Sequence, residues 1–161
     1  MKLLDANVFI QAKNFYYGFD IVPSFWKWLD EQHKQGKIAS IRPVYEELTK
    51  GSDELAKWAK DRKNSRWFID IDDGPTQTAF KSVVNWAQNS NFKKSAVNEF
   101  LSAADSFLIA KAIADEYTIV SHEKAYDPKI KRKIKIPNVC QHFGIKYIDT
   151  FDLLRQLGAK F

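Results

Sequence analysis

Cysteine is almost absent: Cys140 is the sole example in 161 residues. No intramolecular disulfide can form, which excludes the disulfide-stapled secreted scaffolds and points to a reducing compartment. Histidine is scarce too, and His33, His122 and His142 show no ligand spacing with Cys140, so a zinc cage is excluded. Glycine is limited to 6 residues, and none forms a phosphate-cradling loop. No apolar stretch approaches the roughly 20 residues needed to span a bilayer. The first residues run straight into a strand-like segment, with no cleavable apolar leader. Repeats, low-complexity stretches and linkers are also missing. These absences predict a soluble, cytoplasmic protein with no membrane partner, organised as a single domain over residues 1–161.

What is present is ordinary globular material, 45% hydrophobic and 28% charged, too apolar for a disordered chain. Lys plus Arg number 25 against 20 Asp plus Glu, a formal charge of +5. The surplus favours a polyanionic partner, although many proteins without one share it.

Apolar runs and their punctuation predict alternating strands and helices. Lys2–Leu4 reads as a buried strand ended by Asp5, Ile38–Ile41 as a second, Trp67–Ile71 as a third, Tyr117–Ser121 as a fourth and Ile145–Ile148 as a fifth. Pro23 opens a helix that Gly36 ends, Pro43 opens the helix Val44–Lys50, and Ser52 or Asp53 caps one running to about Arg62. Phe80, Val83, Val84 and Ala87 keep helical spacing. Ala96 to Glu116 forms the longest periodic helix, and Phe151, Leu153, Leu154 and Leu157 fit a closing one. The alternation predicts an α/β fold, a three-layer α/β/α sandwich on a mostly parallel sheet. Active sites of such sheets collect at the carboxyl ends of the strands.

Four acidic residues stand in settings unusual for a carboxylate. Asp5 ends the first strand, where a cap and a ligand are equally natural readings. Glu46 and Glu47 are adjacent, and helical spacing places Glu47 between Val44 and Leu48 on the apolar side, with Glu46 as the alternative; an ordinary first-turn Glu is the plainer account. Asp105 lies among Leu101, Ser102, Leu108 and Ile109, on a face expected to be buried, where a carboxylate is costly without a partner. Glu123 follows the fourth strand and, alone, would read as a solvated loop residue. The conjunction is what matters. Several carboxylates arriving from distant positions suit Mg²⁺ or Mn²⁺, and paired divalent ions can clamp a phosphodiester and activate water without a nucleophilic Ser or Cys.

These residues resemble the motifs of the PIN domain, the nuclease fold of VapC-type toxins. The opening apolar run with Asp5-x-Asn7 looks like its first motif and Glu47-Leu-x-x-Gly51 its second. Asp105, within Ala-Asp-x-x-x-Ile-Ala-x-Ala, looks like the third. Ser121-x-Glu123 looks like the fourth, usually Thr/Ser-x-Asp. The ending Lys135-Ile136-Pro137-Asn138-Val139-Cys140 and Leu153-Leu154-Arg155-Gln156-Leu157-Gly158 is similar to a less characterised PIN-like branch described as a domain of unknown function. The resemblance implies a metal-dependent endoribonuclease with Asp5, Glu47, Asp105 and Glu123 as ligands, Asn7 and Ser121 in support, RNA as substrate, a protein antitoxin as partner, and often a homodimer. The Glu at position 123 departs from the pattern by one methylene, and the doubled Glu46-Glu47 leaves the second ligand ambiguous. Rival readings are a Mg²⁺-dependent phosphohydrolase using Asp5 as nucleophile, which Asn7 at the second position argues against, and a non-catalytic RNA- or protein-binding module.

Two basic stretches accompany this set, one of them just after Glu123. Lys129, Lys131, Arg132, Lys133 and Lys135 are candidates for the RNA backbone, or else a solvated loop. Lys57, Lys60, Arg62, Lys63 and Arg66 interleave with Trp58 and Trp67, which are more often core than base-stacking platforms. Trp26, Tyr16 and Tyr17 look exposed and fit a protein interface. His122 reads as a surface residue able to touch substrate, and Cys140 as a small packed hydrophobe.

Overall fold

The computed structural model describes all 161 residues, Met1–Phe161. Its strands are β1 (Lys2–Leu4), β2 (Ile38–Ile41), β3 (Phe68–Ile69), β4 (Thr118–Val120) and β5 (Tyr147–Ile148). All pair in parallel, in the order β3-β2-β1-β4-β5. The helices are α1 (Ala6–Gln11), α2 (Pro23–Lys34), α3 (Arg42–Leu48), α4 (Glu54–Lys60), α5 (Gly74–Gln88), α6 (Lys94–Ser102), α7 (Ala104–Asp115), α8 (Ile136–Phe143) and α9 (Thr150–Gln156). A π-helical turn, Ala12–Tyr16, extends α1. A parallel sheet is stable only with both faces covered, and all of β2 is buried, Ser40 included. Ser40 Oγ donates to the Leu4 carbonyl at 2.6 Å and so remains satisfied there.

The chain enters at the sheet centre, winds outward through β2 and β3, then returns to the other side of β1 for β4 and β5. Right-handed crossovers in opposite directions put α1–α4 on one face and α5–α8 on the other. Most of the packing agrees: α3 meets α1 and α4, while α7 meets α5, α6 and α8; α3 and α7 also touch each other. The reversal between β1 and β4 opens a crevice at the carboxyl ends of these strands, the place where such sheets bind ligands. No helix is long and apolar enough to cross a membrane.

One connected core holds 36 buried residues. Its densest part is aromatic. The Phe9 ring lies 5.6 Å from Trp58 and 5.9 Å from Trp67, and Trp26 meets Trp58 edge-on at 5.3 Å. Trp26, expected at the surface, is therefore core at 3% exposure, its Nε1 donating to the Tyr17 carbonyl. Trp58 and Trp67 are likewise buried and unavailable for base stacking. Tyr17 stacks on Phe25 at 4.4 Å, and only Tyr16 of the three residues expected outside stays half exposed.

The single helix expected over Ala96–Glu116 is two helices. Ala103 takes an extended conformation (φ −93°, ψ 167°) and ends α6, so Asp105 falls in the first turn of α7 instead of mid-helix. There the helix dipole favours its negative charge. The longest helix is α5, with 15 residues. Helix α8 was not anticipated, although Pro137 in its first turn and Gly144 beyond its end, at φ 68°, mark both termini.

Candidate functional site

Asp5 leaves β1 and sits at the N-cap of α1, but its side chain caps nothing. Instead Oδ2 accepts a hydrogen bond from Ser121 Oγ at 2.9 Å, across the crevice between β1 and β4. Ser121 is the hub of this closure. Its Oγ also accepts from Asn7 Nδ2 (3.3 Å) and from the Glu123 N–H (3.1 Å). Asn7 Oδ1 accepts from the His122 N–H at 3.1 Å. The side chains that follow the two central strands are thereby tied together, and Asn7 is spent on that tie. Ser121 bonds Asp5 directly, and Asn7 reaches it only through Ser121.

Asp5 is 4% exposed. Its carboxyl is raised well above the ordinary range, first by burial and then by the charges of Asp105 and Glu123. Asp105 is raised to about 7, by burial, then by Glu123 and Glu47, with Lys133 and Lys135 opposing. Carboxylates so placed repel one another in a poorly solvated crevice, a cost that a bound cation removes. Glu47, on α3, and not Glu46, is the neighbour whose charge reaches Asp105. The packing of α3 on α7 brings it there. The expectation that Glu47 occupies an apolar face fails, because Glu46 and Glu47 are both exposed while Val44 and Leu48 are buried.

Glu123 uses its extra methylene. Oε2 accepts from the Ile136 N–H at 2.9 Å, at the start of α8, where the helix dipole favours an anion. One carboxylate oxygen of Glu123 is thus engaged, and the loop leading to α8 is anchored beside the crevice. No three His, Cys, Asp or Glu side chains close around a common point tightly enough to cage an ion. The array is open and oxygen-rich. That matches the habit of Mg²⁺, which keeps several waters and takes one or two carboxylates plus substrate phosphate.

Of the five basic residues expected to meet RNA, Lys133 and Lys135 act on Asp105. Lys135 Nζ also lies 4.9 Å from the Tyr126 ring centroid. Lys131 packs over Phe92 and Arg132 over Tyr126, and Lys129 is exposed in the same loop. His122 is half-buried, not a free surface residue; burial lowers its pKa against the opposing charge of Asp149. Cys140 is fully buried, its thiol pushed up to about 12 by burial and by Glu123.

A chain of the crystal structure of VapBC2 from Rickettsia felis, bound to a DNA fragment from their promoter, has a similar fold. The TM-score is 0.55 at 16% identity, covering 92% of this chain and 97% of that one. The expected PIN-like three-layer arrangement is therefore the fold observed. No curated protein matches the sequence. A family model, domain of unknown function DUF4411, matches residues 3–161, and the chain belongs to that family.

Proposed function

We propose that this protein is a divalent-metal-dependent endoribonuclease and the toxin of a toxin–antitoxin pair. The observation that carries the reading is the mutually repelling set of buried Asp5 and half-buried Asp105 and Glu123, with Glu47 beside it, at the switch point of a PIN-like sheet. The likeness to a VapBC2 chain supports a protein partner of the antitoxin kind.

Asp5, Glu47, Asp105 and the free oxygen of Glu123 would hold Mg²⁺ or Mn²⁺. The chemistry such an ion supplies when bound is polarisation of the phosphodiester and acidification of the attacking water. The chain's own residues do the rest. Ser121 holds the Asp5 carboxylate in one orientation, and Asn7 holds Ser121. Lys133 and Lys135 place positive charge beside Asp105, where the scissile phosphate would approach. Lys129, Lys131 and Arg132 extend that charge along the same loop for the flanking backbone.

The test is cleavage of a mixed structured RNA pool with Mn²⁺, Mg²⁺ or EDTA, wild type beside Asp105→Asn. Metal-dependent cutting by wild type, reduced about a hundredfold or more in the variant, is the expected result. Folded, partner-free protein that binds RNA without cutting it in any metal would instead establish the binding-module reading.

A further inference from the structure

A second cavity, of about 600 Å³, opens at the carboxyl ends of β4 and β5. Ser121 and Glu123 line it as well as the carboxylate crevice, so the two spaces share a wall. The opposite wall is aromatic. The Tyr16 ring meets Phe151 edge-on at 5.4 Å and His122 at 6.4 Å, and His122 lies 5.8 Å from Phe151. Tyr16 is 50% exposed, an open face on an otherwise packed trio. It ends the π-helical turn Ala12–Tyr16, a geometry common at functional sites.

The polar lining is mainly acidic and amide, with Gln11, Glu123, Asp149 and Asp152, and Lys124 is its one lysine. Asp149 Oδ1 caps the Asp152 N–H and Asp152 Oδ1 takes Arg155, which leaves Oδ2 of each free as an acceptor. Three carboxylates against one lysine leave the wall net acidic, which disfavours phosphate. It suits a planar, uncharged group that stacks on rings and donates N–H.

Resting on the nuclease reading above, we propose that this cavity receives an unpaired nucleobase flanking the phosphate held at the carboxylates. Tyr16 and Phe151 stack on the base. Asp149, Asp152 and Gln11 read its edge, favouring bases with exocyclic amino donors (guanine, adenine, cytosine) over uracil. Single-stranded RNA with splayed bases is the substrate class this geometry serves.

The test uses a short oligoribonucleotide carrying a fluorescent adenine analogue, added in EDTA so that nothing is cut. Wild type should quench the analogue by stacking, Tyr16→Ala should not, and Phe15→Ala, altered outside the cavity, should behave as wild type. Equal quenching by Tyr16→Ala, or none by wild type, overturns the proposal. A second arm measures cleavage with Mn²⁺ of otherwise identical strands that differ in the flanking base. The expected result is a loss of roughly ten- to hundredfold in kcat/KM for Tyr16→Ala, and weak cutting beside uracil. Cleavage that ignores both the base and Tyr16 overturns the pocket and leaves the nuclease standing. Tyr16-dependent quenching without cleavage in any metal keeps the pocket and removes the nuclease.

Discussion

Asp30 and Asp5 are both shielded carboxylates, and their surroundings could hardly differ more. Asp30 accepts from Arg62 Nε at 2.7 Å and from Trp67 Nε1 at 2.9 Å, with a second bond from Arg62 Nη2. The guanidinium lies 4.1 Å over Trp58, so the pair is built into the aromatic core. Asp5 has a serine hydroxyl and two more acids as neighbours. One carboxylate is matched by a guanidinium and an indole and serves the fold; the other faces a hydroxyl and like charges. A buried charge without a partner costs stability, so retaining three near one another is informative in a way that a matched pair is not.

The comparison is broken first at Asp5. Asp5→Asn should abolish metal-dependent cleavage yet raise the thermal midpoint of the metal-free protein, because it removes repulsion while keeping an acceptor for Ser121. Asp30→Ala should do the reverse: a destabilisation of about 2–3 kcal/mol from the stranded Arg62 and Trp67 donors, seen in urea melts, with the folded fraction cutting RNA at wild-type rates. Ser121→Ala sits between them. It frees Asp5 and should lower cleavage about ten- to hundredfold, as the loss of an outer-sphere orienting group does, with little change in urea midpoint.

A weaker effect is expected in pH. Asp105 binds its proton more tightly in the fold, near 7, than the ordinary value of 3.8. The folded state therefore holds more protons than the unfolded one across that window, and metal-free stability should fall as pH rises from about 4 to 7, by at most about 1.4 kcal/mol per pH unit. Asp53 and Asp73 are lowered instead, Asp53 first by its bond from Lys13 and then by its helix cap, Asp73 first by its cap at Thr76 and then by Lys111, and their support is lost below about 4. Thermal melts in EDTA at several pH values, with Asp105→Asn flattening the upper slope, check this.

Much of the scaffold around Asp5 was legible. β2 falls where its apolar run predicts, and β1 ends at Asp5 as expected. Pro23, Pro43 and Asp53 start their helices for the expected reasons of fixed φ and side-chain capping. What was hidden has physical causes. Ala96, Val97, Phe100, Ala104 and Leu108 keep helical spacing straight through the break at Ala103, so periodicity carries no sign of it. Trp26 looked exposed because its partners, Phe19 and Trp58, come from a loop and a later helix. The reach of Glu123 to the Ile136 N–H depends on a helix 13 residues later in the chain. The aromatic trio of Tyr16, His122 and Phe151 joins three segments that no local pattern connects.

The most direct measurement is the thermal midpoint of wild type and Asp5→Asn, with EDTA and with saturating Mn²⁺, at a pH above 7. Without metal, wild type should melt below the variant. With Mn²⁺ at about a hundred times its Kd, wild type should gain about 2.7 kcal/mol, or roughly 5–10 °C, while Asp5→Asn gains little. An equal response of the two proteins to Mn²⁺, or a wild type already the more stable in EDTA, would contradict the view that these acids are a cation site held in reserve by the fold.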